Sequence, residues 1–418
     1  MSEFYLSIVA ASRNDDHGGR LLERMQAFID GVIAQSKRHA LPVELIIVEW
    51  NPPEDRPYLS EVLKVPEDKG GSEVRIIRVS KELHEGLDHS ENLPLFQMYA
   101  KNIGIRRARG EYVIATNIDI LFSDELFGYL KKKKLKPGVI YRVDRLDIPS
   151  DLPEEELFEN VLDFCNGKFF RINGRFGTKI LDEKTNKFKH DLVKKLFIAM
   201  RSFKKKLVRA IQLFKKRVKR LPKLFRKLKS KNISDQERWK TIIIHQLKCL
   251  RALFQYLLKY SKIDIKKRHF KHVIRRIFFK RSKFSYSLIP HSNGCGDFNL
   301  ISRKGWEALR GYPEWTIFSW HIDSVFLYQA IYSEFKEKNF GHARPIYHIE
   351  HGKGSGYTPE GFGALLKRLD EKKIPYLDLP AFKQQLTAMK TAKEFAKTLV
   401  YNNEDWGMIC EDLEEVFM

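Results

Sequence analysis

The stretch that decides the fold is KNIGIRRARGEYVIATNID, Lys101 to Asp119. It reads as the end of an amphipathic helix stopped at Gly110, then a short apolar run from Tyr112 to Thr116, then a polar triplet Asn117-Ile118-Asp119. A helix, a tight stop and a buried strand within so few residues is the beat of an α/β layer. Working outward, Phe4 to Ser12, Val43 to Trp50 and Val74 to Val79 are further short, β-branched-rich runs bounded by turn residues, as strands buried on both faces should be. Between the first two, Leu21, Leu22, Met25, Phe28, Ile29, Val32 and Ile33 fall on one face of a helix over Arg20 to His39. Leu95 to Arg109 forms another. The order predicts a mostly parallel sheet flanked by helices, with ligands at the carboxyl ends of its strands. The loops at those ends are Arg13 to Gly19, Glu49 to Pro53 and Asn117 to Asp124.

The 418 residues suffice for one large core or two ordinary ones. No apolar run is long enough to span a bilayer, and the chain enters its first strand without a basic-then-apolar leader. Cys165, Cys249, Cys295 and Cys410 lie far apart without a CxxC pair, which argues against a disulfide framework or structural zinc and for a reducing cytosol.

The net charge of +23 is unevenly placed. Residues 201–283 hold 30 of the 76 Lys and Arg but three of the 53 acids, which leaves 46 bases against 50 acids elsewhere, a net −4. Three apolar stripes at helical spacing run through this region, beginning at Met200, Trp239 and Phe270, so it reads as a basic all-helical insert. The expected divisions are 1–181 and 284–358 for two parts of one α/β core, 182–283 for the insert and 359–418 for C-terminal helices. So many cations with so few acids at i,i+4 call for an anionic partner. The aromatics follow the apolar stripes instead of forming a stacking platform, which disfavours nucleic acid. Anionic lipid at the inner face of a membrane is the expected partner, with a self-packed or oligomerising subdomain as the alternative.

The ordered set of a strand, Ser12-Arg13-Asn14-Asp15, a helix, a strand ending at Glu49, KNIGIRRARGEYV and a short acidic triplet resembles the GT-A glycosyltransferases, especially the family-2 type. The resemblance covers residues 4–127 and extends loosely through GCGDFNLISRKGWEALRGYPEW (Gly294 to Trp315) and WHIDSVFLYQA (Trp320 to Ala330). It implies a nucleotide-diphosphate sugar donor, a divalent cation (Mn²⁺ or Mg²⁺), a glycan or lipid-linked acceptor, and inversion at the anomeric carbon.

Residue by residue, the resemblance implies that Asp119 anchors the cation. Asn117 replaces the first acid of the family's Asp-x-Asp triplet and lowers the site's negative charge. Arg13, Asp15, Asp16, Glu49 and Lys101 are the remaining donor-side candidates, with Arg13 and Lys101 suited to phosphate. Trp50 could stack on a base or simply pack. On the acceptor side, Asp323 in Trp320-His321-Ile322-Asp323 is the candidate base, with His321 and Asp297 beside it. His348 and His351, ahead of a glycine-rich tail, are candidates to complete the metal shell, since neutral imidazole suits such ions. A sugar nucleotidylyltransferase and an inactive scaffold of the same fold are the alternatives.

Overall fold

A computed structural model describes residues 3–153, 158–182, 185–190, 290–351 and 362–418. The basic segment 201–283 and the glycine-rich stretch 352–356 lie outside the described residues. The protein is a mixed α/β chain with two sheets and, among the described residues, ten α-helices.

The first half runs β1 (Leu6–Ser12), α1 (Leu21–His39), β2 (Val43–Trp50), α2 (Leu59–Val62), β3 (Glu73–Val79), α3 (Lys81–Glu85), α4 (Gln97–Arg107), β4 (Tyr112–Ala115) and β5 (Ile120–Phe122). It continues through α5 (Asp124–Leu130), β6 (Val139–Arg142), β7 (Arg145–Ile148), α6 (Phe158–Lys168), β8 (Arg171–Gly174), β9 (Gly177–Asp182) and β10 (Lys187–His190). After the segment outside the described residues come β11 (Asn299–Ser302), α7 (Arg303–Leu309), α8 (Ile322–Tyr332), β12 (Lys336–Asn339), β13 (Ile346–Ile349), α9 (Phe362–Glu371), α10 (Leu379–Glu394) and β14 (Glu414–Phe417).

The larger sheet has the order β12-β6-β11-β4-β1-β2-β3-β14. Its centre, β4-β1-β2-β3, is parallel, and β1 and β2 are buried at every position. That is why they read as continuous apolar runs. The helix α1 covers one face with Leu21, Met25, Phe28, Ile29, Val32 and Ile33. On the other face α4 lies so close that a Cβ on Gly104 would come within 2.6 Å of Val9; only glycine permits that approach.

A second sheet, ordered β10-β9-β8-β7-β13-β5, corrects the expectation of one mostly parallel sheet. All its pairings are antiparallel except β7 with β13. Its strands are short and mixed in composition, such as Arg171–Gly174 and Lys187–His190, so they lack the apolar run that marks a doubly buried strand. Because β10 pairs with β9, this sheet continues past the boundary expected at 182. The C-terminal region also departs from an all-helical reading: β14 pairs antiparallel with β3 and occupies the edge of the larger sheet.

The chain passes from the larger sheet to the smaller three times. It leaves the larger sheet at Ala115 and enters the smaller at Ile120, does so again between Arg142 and Arg145, and for the last time between Asn339 of β12 and Ile346 of β13. Residues on both sides of the basic segment build both sheets, since β11 pairs with β4 and β6 while β13 pairs with β5 and β7.

Candidate functional site

Residues 116–119 are the first of these crossings, and Asp119 stands at its end, buried and immediately before β5. Strand register determines what surrounds it. In β13, His348 lies opposite Ile120 of β5 on one side and Asp147 of β7 on the other. The imidazole therefore sits between two buried carboxylates, with Nε2 at 3.6 Å from Asp119 Oδ2 and Nδ1 at 3.6 Å from Asp147 Oδ1. His351, just beyond the strand, brings its Nε2 to 3.1 Å from the same Asp119 oxygen. The ligating atoms of Asp119, His348 and His351 all lie within 4.8 Å of one another. Asp119 Oδ1 is buried without a hydrogen-bond partner.

Burial alone would raise the Asp119 carboxyl pKa, but His348, the hydrogen bond from His351 and the Arg24 guanidinium hold it well below the usual carboxylate range. Burial, reinforced by Arg145, pushes His348 below its ordinary value in spite of Asp119 and Asp147. A neutral imidazole has one lone pair, so between two carboxylates it must turn that lone pair toward one of them. A cation between Nε2 and Asp119 relieves this mismatch and gives the partnerless oxygen a ligand. One carboxylate and two imidazoles are a donor set that Mn²⁺ accepts. A second grouping, Asp147, His348 and Glu350, fits a cation less well. Asp147 is already bound by Arg145, Arg171 and Asn173, and Glu350 by Arg171.

Arg24, on the buried face of α1, joins this cluster to the loop after β1. Its Nη1 is 3.3 Å from Asp119 Oδ2, and its Nη2 donates to the carbonyls of His17 at 2.5 Å and Gly19 at 3.2 Å. Between them, Gly18 has φ +79° and faces His351 so closely that a Cβ would be 2.7 Å from its Nδ1.

A second group of polar side chains adjoins the first. Lys101 is completely buried and donates to Asn117 Oδ1 at 2.6 Å and to the Gly296 carbonyl at 2.8 Å. Burial pushes its ammonium down to about 8, against the pull of Asp297, Asp323 and Asp119. Asn117 Nδ2 donates to Asp297 Oδ1 at 2.6 Å, and Asp297 Oδ2 pairs with Arg145 at 2.8 Å. Arg145 in turn holds Asp147, which closes a continuous path back to His348. The amide of Asn117 uses both its ends, accepting from Lys101 and Gln97 and donating to Asp297, which an acid could not do without taking up a proton.

Asp323 lies in the first turn of α8 and accepts from the Ser324 backbone N–H at 2.6 Å. Its Oδ2 would be 3.1 Å from a Cβ on Gly296, the residue whose carbonyl Lys101 holds. His321, at φ 67°, stacks on Phe382 of α10 at 4.8 Å and borders Trp320. The structure thus brings Asp119, His348, His351, Lys101, Asn117, Asp297 and Asp323 into one neighbourhood, while the His321 ring is engaged by the C-terminal helix.

The remaining donor-side candidates brace loops. Arg13 Nε donates to the Asn51 carbonyl at 2.6 Å. Asp15 accepts from His17 N at 3.1 Å, and Asp16 from Leu21 N at the start of α1 at 3.1 Å. Both oxygens of Glu49 are used, by Leu59 N at 2.8 Å and Arg78 Nε at 3.2 Å. Trp50 is fully buried and donates to His84 Nδ1 at 2.9 Å; it packs. Arg24, Arg145 and Asp147 escaped the sequence reading. Arg24 sits among Leu21, Met25 and Phe28 on the apolar stripe, and that misplaced charge was the available signal; Asp147 had none.

No protein-family model matches the chain, and no curated protein matches it either. A solved structure, the galactosyltransferase LgtC in complex with donor and acceptor sugar analogs, is similar over 37% of this chain and 50% of that one, at 16% identity and a TM-score of 0.21. This chain spans half the length of that neighbour, and a likeness of that size carries no weight for the fold or the activity.

Proposed function

We propose that the protein is a GT-A-type glycosyltransferase that moves a sugar from a nucleotide-diphosphate donor to a hydroxyl of a glycan or glycolipid. The observation that carries this reading is the convergence of His348 and His351 on the buried Asp119 carboxylate, whose other oxygen has no partner, at a strand end where α/β sheets collect ligands. The motif order from Ser12 to Asp119 supports it independently.

A divalent cation held by these three side chains would offset the negative charge of the departing diphosphate. The loop after β1, tied down by Arg24, and Arg13 border the donor. Asp323 is the base that takes the acceptor hydroxyl proton, with Asp297 fixed beside it through Asn117 and Arg145 and His321 toward the acceptor side. Inversion follows from the family-2 resemblance. Arg13, Asp15, Asp16 and Glu49 contribute by shaping the donor loops.

The test is release of nucleoside diphosphate from a panel of nucleotide sugars with Mn²⁺. Asp119→Asn should abolish release together with Mn²⁺ binding. Asp323→Asn should keep donor binding and lose roughly 10²- to 10⁴-fold in transfer rate. Failure of every nucleotide sugar to bind, read as a thermal shift, refutes the proposal. A sugar-nucleotide-binding scaffold without turnover is the second reading, favoured by the full engagement of Asn117; it requires binding without release.

For residues 201–283 we propose docking to anionic lipid from the cytoplasmic side. Among the described residues no helix is long and apolar enough to cross a membrane. Vesicles rich in anionic lipid should bind the full chain better than a variant lacking 201–283, and equal binding refutes the idea.

A further inference from the structure

The cradle formed by Asp119, His348 and His351 carries a single carboxylate, and the protein already supplies that carboxylate with a positive charge. Arg24 reaches Asp119 Oδ2 at 3.3 Å with both side chains almost wholly buried. The acids next in line are matched as well: Asp147 by Arg145 and Arg171, and Asp297 by Arg145. Position 117 is an amide instead of a second acid, and a buried lysine donates to it. Asp119, Asp147 and Asp297 are therefore each ion-paired before any cation enters. A dication arriving alone meets acids that are already paired and must share the Asp119 carboxylate with a guanidinium, at a depth where water screens little.

We infer that Arg24 is the resident counter-ion of Asp119 and that it makes cation binding conditional on an anionic co-ligand. The divalent cation and a pyrophosphate-bearing ligand enter as a pair, each strengthening the other. The anion contributes the negative charge that an acid at position 117 would otherwise supply. Arg24 also donates to the carbonyls of His17 and Gly19, so the same residue links the charge state of the cradle to the loop that borders it. This inference rests on the metal-assisted reading above.

The experiment titrates the full chain with Mn²⁺, following free Mn²⁺ by electron paramagnetic resonance, alone and with saturating inorganic pyrophosphate, ADP or UDP. A diphosphate should tighten Mn²⁺ about tenfold or more, and Mn²⁺ should tighten the diphosphate by the same factor. Arg24→Gln should raise the affinity for Mn²⁺ alone by roughly tenfold, whereas Arg24→Lys, which keeps the charge, should leave it near that of the native chain. Equal Mn²⁺ affinity with and without diphosphate overturns the inference, as does an Arg24→Gln variant unchanged toward Mn²⁺ alone. Coupling seen with UDP but absent with pyrophosphate overturns charge as its source. Should Arg24→Gln fail to fold, the reciprocal coupling in the native chain decides alone. If neither Mn²⁺ nor any diphosphate binds, the metal-assisted reading itself fails, and the two failures are thereby told apart.

Discussion

Replacing Asn117 by an acid should harm this protein. In Asn117→Asp the Nδ2 donor, now 2.6 Å from Asp297 Oδ1, becomes a second carboxylate oxygen facing a carboxylate. Two costs follow: a hydrogen bond to a charged group is lost, about 1.5–3 kcal/mol, and like charges meet in a buried setting. The Lys101 ammonium, 2.6 Å from the other oxygen of residue 117, offsets part of the repulsion. The new carboxyl can also escape by staying protonated and donating to Asp297. At pH 8 that escape costs about 5–6 kcal/mol, the work of protonating a group of ordinary pKa near 4, so it caps the penalty. A destabilisation of about 2–4 kcal/mol at pH 8 is expected. A carboxyl whose folded pKa is raised is least harmful at low pH, so the deficit against the native chain should shrink as the pH falls toward 5. The assay is thermal melting of both chains across pH 5–8, scored as the difference between them at each pH. A variant as stable as the native chain at pH 8, or a deficit that grows on acidification, refutes the network from Lys101 to Asp297.

Three further outcomes follow from groups in and around this network. Glu314 accepts from Asn102 and from the Gly407 backbone N–H, and burial pushes its carboxyl up to about 7; the folded chain therefore loses stability as pH rises from its ordinary value through 7. Glu314→Gln keeps the accepting oxygen and should raise the melting temperature at pH 8 by more than at pH 5; an equal shift at both counts against the assignment. For Lys101, lowered to about 8 by burial, the unfolded chain holds a proton that the folded one has lost between pH 8 and 10.5, so the native chain should gain stability over Lys101→Met across that window in denaturant titrations. Gly18→Ala forces a Cβ against His351 at a positive φ and should weaken Mn²⁺ binding in the presence of a diphosphate by roughly tenfold, a misplaced ligand being costly in metal sites; unchanged binding removes His351 from the cradle.

The central layer was open to reading because burial on both faces leaves a mark in the chain. Leu6–Ser12 and Val43–Trp50 are mostly apolar runs, Glu73–Val79 keeps Val74, Ile76, Ile77 and Val79 between its charges, and α1 carries its stripe plainly. The smaller sheet was not open to reading, because RING and KFKH owe their strand state to pairing, which no local preference announces. The same holds at β14, whose Glu414 and Glu415 suit an exposed edge but say nothing of β3 as the partner. Within the site, residue types sufficed for Asp119, His348 and His351, since few side chains bind cations. Their mutual approach, and the presence of Asp147 on the far side of His348, depend on β13 lying between β5 and β7. Asn117 stood out as a departure, but its reason, a donor owed to Asp297 from 180 residues further on, is tertiary.

The edge strand β14 does more than shield β3. Its Glu414 forms an ion pair with Arg78, the residue that holds Glu49, and Arg78 also lies over the Tyr58 ring at 3.5 Å. A cut ahead of Glu414 would thus act at a distance: it would slacken the turn that follows β2 and lay bare a row of amides able to recruit a neighbouring molecule.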